Sequence, residues 1–193
     1  MRMSVTTLSC GRCAVPGGRN PLGTFPNYFG SLTEINFLEF EYFTGLTTIG
    51  SGGTTVDSGW ARKRIKISLP TGLTSIGHKI FTACNFYAQD QLVIPASVTS
   101  VGSETGFSNI TTLHDIIFLA AALTRFQGYY LLNNTTANLV FPNATAVPQS
   151  AGSLGSFKGY IYVPDALVDD WKVATSWSSL ASRILPLSQW SQS

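Results

Sequence analysis

The chain has 193 residues, of which 44% are hydrophobic and only 11% are charged, and its formal net charge is +2. The apolar content excludes a disordered chain, and the absence of a long basic tract excludes a surface that coats a phosphate backbone. No run approaches the roughly 20 apolar residues that span a bilayer. We therefore expect a folded chain with no nucleic-acid partner and no membrane span.

Residues 1–24 are rich in turn-forming residues, and we expect them to form an N-terminal tail. Their "CGRC" has the spacing of a redox motif or of half a zinc site, and whether Cys10 and Cys13 pair is left open. Tetrahedral zinc needs four ligands, and the other candidates, Cys84, His78 and His114, lie far along the chain, so we predict no metal and no cofactor. The tail lacks the apolar stretch of a signal peptide, so an extracellular or virion location would be reached without a visible export signal.

One eleven-residue sequence pattern, the phrase, occurs twice, as "ISLPTGLTSIG" from Ile67 and as "LVIPASVTSVG" from Leu92. Self-similarity of this kind is the signature of a repeat protein, and it extends in degenerate form over residues 25–164. With the proline of the phrase as marker, the marker positions are Phe43, Pro70, Pro95, Ala120, Pro142 and Pro164.

Apolar residues alternate before each marker, which predicts a short strand with one buried face. The proline ends the strand because it cannot donate to a ladder. One copy cannot bury its own face, so we predict a solenoid of five to six stacked copies. It has a parallel β-sheet on one side and turn-rich return legs. Counting back from each marker position gives the frame of the repeat, in which alternate residues point inward. The frame directs these residues inward: Leu92, Ile94, Ile117, Leu119, Leu139 and Phe141.

The same frame directs the alternate positions to the outward face of the sheet, which becomes apolar and aromatic toward the C-terminal end. Soluble monomers seldom expose such a patch without a use. The patch is interpreted either as a ligand surface or as a site of structural cover or oligomer contact. The predicted partner-binding residues are Val93, Ile116, Phe118, Val140, Tyr160 and Tyr162.

Residues 165–193 are expected to close the open end of the array. Asp165 occupies an N-cap position before an apolar pattern of helical spacing, which predicts an amphipathic capping helix over 166–182. Trp171 and Trp177 are interpreted as aromatic residues that pack on the last copy.

The motifs "LPTGLTSIGHKIFTAC" and "IPASVTSVG" resemble the BspA-like leucine-rich repeats of the Treponema pallidum type, found in gut Bacteroidales and their phages. "IFTAC", ending at Cys84, is similar to the aromatic-and-cysteine corner of that family, and the resemblance covers residues 25–190. It implies a leucine-rich-repeat fold and a role in adhesion or host-surface attachment. The copy at 118–134 departs from the pattern because it lacks the proline.

The sequence gives no sign of catalysis. It holds no nucleophile elbow, zinc-protease motif or phosphate loop, and His78 and His114 fall on different sides of the predicted solenoid. We therefore predict a non-enzymatic binding or adhesion protein with no catalytic residues, whose strand face recognises a protein or a surface glycan. The alternative is a phage virion subunit, decorative or tail-associated, that binds virion proteins or further copies of itself.

Overall fold

The computed structural model describes residues 7–9, 34–37, 48–49, 64–69, 71–77, 81–102, 107–127, 130–148 and 154–191. Two sequence predictions and one open question lie outside these ranges: the strand that ends at Phe43, the position of His78, and whether Cys10 and Cys13 pair.

The described residues form thirteen short strands, one α-helix and three 3-10 turns. The strands are β1 Thr7–Ser9, β2 Glu34–Phe37, β3 Thr48–Ile49, β4 Arg64–Ile67, β5 Ser75–Ile76, β6 Asn85–Phe86, β7 Gln91–Ile94, β8 Ser100–Gly102, β9 Asp115–Phe118, β10 Arg125–Gln127, β11 Asn138–Val140, β12 Ile161–Val163 and β13 Ile184–Pro186. The helix α1 is Val168–Val173, and the 3-10 turns are Asp165–Leu167, Ser178–Arg183 and Leu187–Gln189.

The strands pair in parallel throughout the described ranges and make three sheets. The first sheet has the order β1-β2-β4-β6, and the second has the order β10-β8-β5-β3. The third, the five-stranded sheet, has the order β13-β12-β11-β9-β7. The predicted parallel sheet is therefore confirmed, but the described strands are divided among three sheets where one was predicted.

A continuous hydrophobic core packs against the inward side of the five-stranded sheet. Phe118 and Phe141 stack there with their ring centroids 4.9 Å apart and their planes 10° from parallel. Phe141 in turn meets Trp171, and Trp171 lies 4.6 Å from Trp177, both indoles being fully buried. The interpretation of the two tryptophans as packing residues is confirmed.

The predicted frame of strand β9 is wrong by one residue. Ile94 pairs with Phe118 and Leu92 with Ile116, so Ile116 and Phe118 point into the core and are fully buried. The sequence frame had directed both outward. "DIIFLAAAL" is apolar on both sides of the strand, and a two-residue period cannot specify the inward face when both faces are apolar.

A stack of tight turns lies on another side of the core. Ala83, Asn109 and Asn134 adopt left-handed backbone conformations with φ of 54°, 57° and 55°. The Ala83 and Asn109 amides donate to carbonyls of the next turn along the chain, at 2.8 and 2.7 Å. Cys84, which follows the first of these residues, is buried.

The C-terminal segment is more broken than the predicted helix over 166–182. Helix α1 stops at Val173, because Ala174 is extended with a ψ of 130°. A 3-10 turn and strand β13 follow, and β13 joins the edge of the five-stranded sheet. Asp165 is not an N-cap; its carboxylate accepts a hydrogen bond from the Ser188 amide at 3.0 Å. No helix within the described residues is long and apolar enough to cross a bilayer.

Candidate binding face

The outer face is the side of the five-stranded sheet that is turned away from the core. Because side chains alternate along a strand, it carries every second residue of each strand. Ile117 and Val140 are buried although neither belongs to the core cluster, so part of this face is covered from outside. The outer face comprises Gln91, Val93, Asp115, Ile117, Asn138, Val140, Tyr160, Tyr162 and Leu185.

Asp115 is the polar centre of the outer face, and its side chain is fully buried. Its Oδ2 accepts hydrogen bonds from Gln91 Nε2 at 3.1 Å and from Trp190 Nε1 at 3.3 Å, and it lies 3.1 Å from His114 Nδ1. Its Oδ1 accepts from Asn138 Nδ2 at 3.1 Å. Three hydrogen-bond donors and the nearby imidazole thus compensate the desolvation of one carboxylate, as a buried polar group requires.

The Trp190 contact shows what covers the outer face. Trp190 follows β13, whereas Asp115 begins β9 on the far side of β12 and β11. At about 4.8 Å per strand, the chain after β13 returns across about 14 Å of the sheet. This segment lies on the same side of the sheet as the buried Ile117 and Val140, opposite the core.

The structure separates the six residues that the sequence assigned to binding. Ile116 and Phe118 lie in the core, and Val140 lies on the outer face but has no exposed area. The remaining three are exposed or half-exposed: Val93, Tyr160 and Tyr162.

Tyr160 and Tyr162 form an aromatic pair, in which Tyr162 lies on β12 and Tyr160 immediately precedes that strand. Tyr160 is 46% exposed, and the two ring centroids are 6.4 Å apart. The Tyr160 amide donates to Asn138 Oδ1 at 3.1 Å, which ties this backbone to the Asp115 cluster. Partial burial raises the pKa of Tyr162, and the negative charge of Asp115 and the neighbouring Tyr160 raise it further. Tyr162 therefore presents a neutral ring at physiological pH.

A gap separates β4 from β7, where the sequence had predicted adjacent strands. The side-chain amide of Gln89 fills one end of it. Gln89 Oε1 accepts from the Ile67 amide, and Gln89 Nε2 donates to the Ile67 carbonyl, both at 2.9 Å. The same Nε2 donates to the Gln91 carbonyl at 2.8 Å. One amide group thus bridges the two strands, as a peptide group of an intervening strand would.

Beyond Gln89 the gap opens as the β4–β7 groove, with a volume of about 600 Å³. Residues 66–69 form one wall, and Gln91, Val93 and Pro95 form the other, with Leu119 beside them. Ser97 closes the far end, where its hydroxyl donates to the Thr71 carbonyl at 2.6 Å. This volume lies within the range typical of small-ligand pockets.

Positive charge lies at the β4 side of the groove. Lys66 is a half-buried lining residue, and no acidic side chain is found among the described residues that line the groove. On the same strand, the Arg64 guanidinium lies 4.1 Å from the centroid of the Tyr87 ring.

Sequence reasoning missed Asp115, Gln89 and Trp190. An acid at the start of the apolar run "DIIF" was a signal for Asp115, because a carboxylate beside buried strand residues requires donors. Gln89 and Trp190 carry no local signal, because their partners lie 22 and 75 residues away. Among the residues that the structure describes, no three His, Cys, Asp or Glu side chains are grouped to hold a metal ion.

Comparisons of the chain with protein-family models, with curated proteins and with solved structures found no match. The resemblance to BspA-like repeats is therefore carried by the sequence motifs alone.

Proposed function

We propose that the chain is a leucine-rich-repeat solenoid of the BspA-like type. Side-chain hydrogen bonds between successive strands support this, because they join residues 24, 23 and 22 positions apart. In the second sheet the Thr124 hydroxyl donates to the Thr99 carbonyl 25 positions earlier. Near-constant separations are expected when each copy contacts its neighbours.

The proposed function is non-enzymatic recognition of a protein or a surface glycan, for attachment outside a cell or on a virion. The observation that carries it is the Tyr160–Tyr162 pair, in which Tyr160 is exposed and Tyr162 half-exposed, on a face that Trp190 covers at Asp115. Tyrosines supply large contact area at low cost in conformational entropy. The Asn138 bond to the Tyr160 backbone holds the pair in place before any ligand arrives, which reduces the ordering cost of binding.

The absence of an enzymatic role is part of the proposal. Asp115 is the buried acid of this face, and its two oxygens already accept three side-chain hydrogen bonds and contact His114. A general base must instead have an oxygen within reach of the substrate proton. Asp115 is therefore assigned a positioning role for the outer face.

The test compares three tyrosine variants of the labelled protein on a glycan array and on intact bacterial and epithelial cells. Tyr160→Ala and Tyr162→Ala are expected to weaken binding about tenfold or more, as centrally placed aromatic anchors do. Tyr130→Ala is the matched control, because Tyr130 is 54% exposed but lies in a turn outside the outer face. Equal binding by all three variants would remove the outer face from the proposal. Wild-type self-association lost in the outer-face variants would favour the virion-subunit alternative.

A further inference from the structure

The β4–β7 groove has the width of one missing strand. The amide of Gln89 receives and donates hydrogen bonds on the Ile67 side, and it also donates to the Gln91 carbonyl. A single amide spans the distance between β4 and β7, so the two strands are two ladder spacings apart at this point. An extended peptide continuing from the position of that amide would lie between two strand edges.

Both walls present backbone groups to such a peptide. The carbonyls of Asp90 and Ile94 accept hydrogen bonds from the chain of β9, on the side away from the groove. Since alternate residues of a parallel strand direct their backbone groups to opposite edges, the N–H and C=O of Val93 face the groove. On the other wall Ile67 bonds to Gln89 across the gap, which places the backbone groups of Leu69 on the same edge.

The groove is short and closed at both ends. The Gln89 bridge closes one end, and the hydrogen bond between Ser97 and Thr71 closes the other. The wall from Ile67 to Thr71 advances four residues, at most about 14 Å of extended chain. A long strand therefore cannot run through the groove, whereas the end of a peptide chain can enter it from the outer face.

Charge and apolar surface define the chemistry of that chain end. Lys66 lies at the Gln89 end without an acidic neighbour in the described lining, so it is placed to pair with a carboxylate. Val93, Pro95 and Leu119 offer apolar surface farther along the groove.

We propose that the β4–β7 groove binds the C-terminal three or four residues of a partner protein as an added strand. The terminal carboxylate pairs with Lys66, the peptide backbone bonds to Leu69 and Val93, and an apolar side chain packs on Pro95 and Leu119. This is β-strand addition combined with capture of a chain terminus. The proposal is independent of Tyr160 and Tyr162, so either can fail alone.

The experiment presents the purified full chain with a library of N-acetylated tetrapeptides that end in a free carboxylate. The same library with C-terminal amides is the matched ligand control. Retained peptides are identified by mass spectrometry, and their dissociation constants are measured by calorimetry. We expect retention of the carboxylate library, with apolar residues enriched, and about tenfold weaker binding of the amides, since a charge-assisted hydrogen bond is lost.

Variants of the groove make the test specific. Lys66→Gln should weaken the binding of carboxylate peptides about tenfold and leave the binding of amide peptides unchanged. Lys172→Gln on α1 should change neither affinity. Val93→Pro removes an N–H that faces the groove and spares the ladder to β9, so it should abolish retention. Lys66→Gln keeps the test decisive if Val93→Pro loosens the sheet.

Three results would overturn the proposal. The first is that the wild-type chain retains no more carboxylate peptides than the Lys66→Gln variant does. The second is equal affinity of the wild-type chain for carboxylate and amide peptides. The third is a wild-type dimer in sedimentation that Val93→Pro dissociates, because the groove would then hold a second copy of the chain. Peptide binding that survives Tyr160→Ala is expected, and it separates this site from the aromatic pair.

Discussion

Replacing Asp115 by asparagine tests whether one buried carboxylate organises the outer face. The substitution keeps the shape of the side chain but replaces one acceptor oxygen by an NH₂ group. If the amide oxygen takes the Oδ2 position, it retains the hydrogen bonds from Gln91 and Trp190 and the contact with His114. The NH₂ group then faces Asn138 Nδ2, which is also a donor.

Asn138 cannot relieve this conflict by rotating its amide, because its Oδ1 already accepts the Tyr160 amide. One buried donor is left unsatisfied, at a cost of about 1–3 kcal/mol, and the remaining bonds lose their charge assistance. We expect Asp115→Asn to lower the free energy of unfolding by about 3 kcal/mol, below the full cost of breaking a buried ion pair. That is a large part of the roughly 5–15 kcal/mol that stabilises a folded protein.

Urea unfolding followed by tryptophan fluorescence measures the effect. With a slope of about 2 kcal/mol per molar urea, the midpoint should fall by roughly 1.5 M. Asp90→Asn is the matched control, since Asp90 has an exposed side chain and its substitution should change stability by about 0.5 kcal/mol or less. Equal midpoints for Asp115→Asn and the control would refute the role assigned to the carboxylate.

Phe118→Ala should lower the free energy of unfolding by about 3–5 kcal/mol in the same assay, because the ring is fully buried and stacked. A loss below about 1 kcal/mol would indicate that Phe118 lies on the outer face and not in the core. Gly159→Ala should lower the melting temperature sharply, because its Cβ would collide with the Ala137 carbonyl; an unchanged melting curve would contradict that close approach. Ala83→Asn should raise stability by about 0.5–1 kcal/mol, since asparagine tolerates the left-handed conformation at φ 54°; a measured loss would count against this. The folded-state pKa of Tyr162 is raised above 10.0. The contribution of this group to the free energy of unfolding is therefore complete below pH 10.0 and is lost as the pH rises through the raised pKa. Tyr162→Phe should therefore lose less stability than wild type in alkaline unfolding, and parallel losses would contradict the burial.

The strands β7, β11 and β12 were predictable because alternation and a following proline or turn bounded each of them. Leu92, Leu139 and Ile161 are buried as the frame required. The frame failed at β9, where apolar residues on both faces gave a continuous apolar run in place of alternation. A pattern of period two specifies the buried face only when the other face is polar.

The candidate sites were less predictable because distant residues build them. The Trp190–Asp115 bond joins positions 75 apart, and no local pattern in "LPLSQW" indicates that this segment crosses the sheet. The gap beside β7 arises because β4 pairs with β6 at Asn85–Phe86, which shifts the next strand away. The predicted neighbours Lys66 and Gln91 instead lie on opposite walls of the groove.

The long span of the Trp190–Asp115 bond has a consequence for the order of folding. Hydrogen bonds between neighbouring strands close chain segments of 22 to 24 residues, whereas this bond closes 75. Because closing a longer segment costs more chain entropy, we expect the tryptophan to dock after β9, β11, β12 and β13 have assembled. A time-resolved fluorescence signal from Trp190, isolated by replacing the other three tryptophans of the chain with phenylalanine, would then report completion of the sheet, and newly made chains would expose Ile117 and Val140 until that moment.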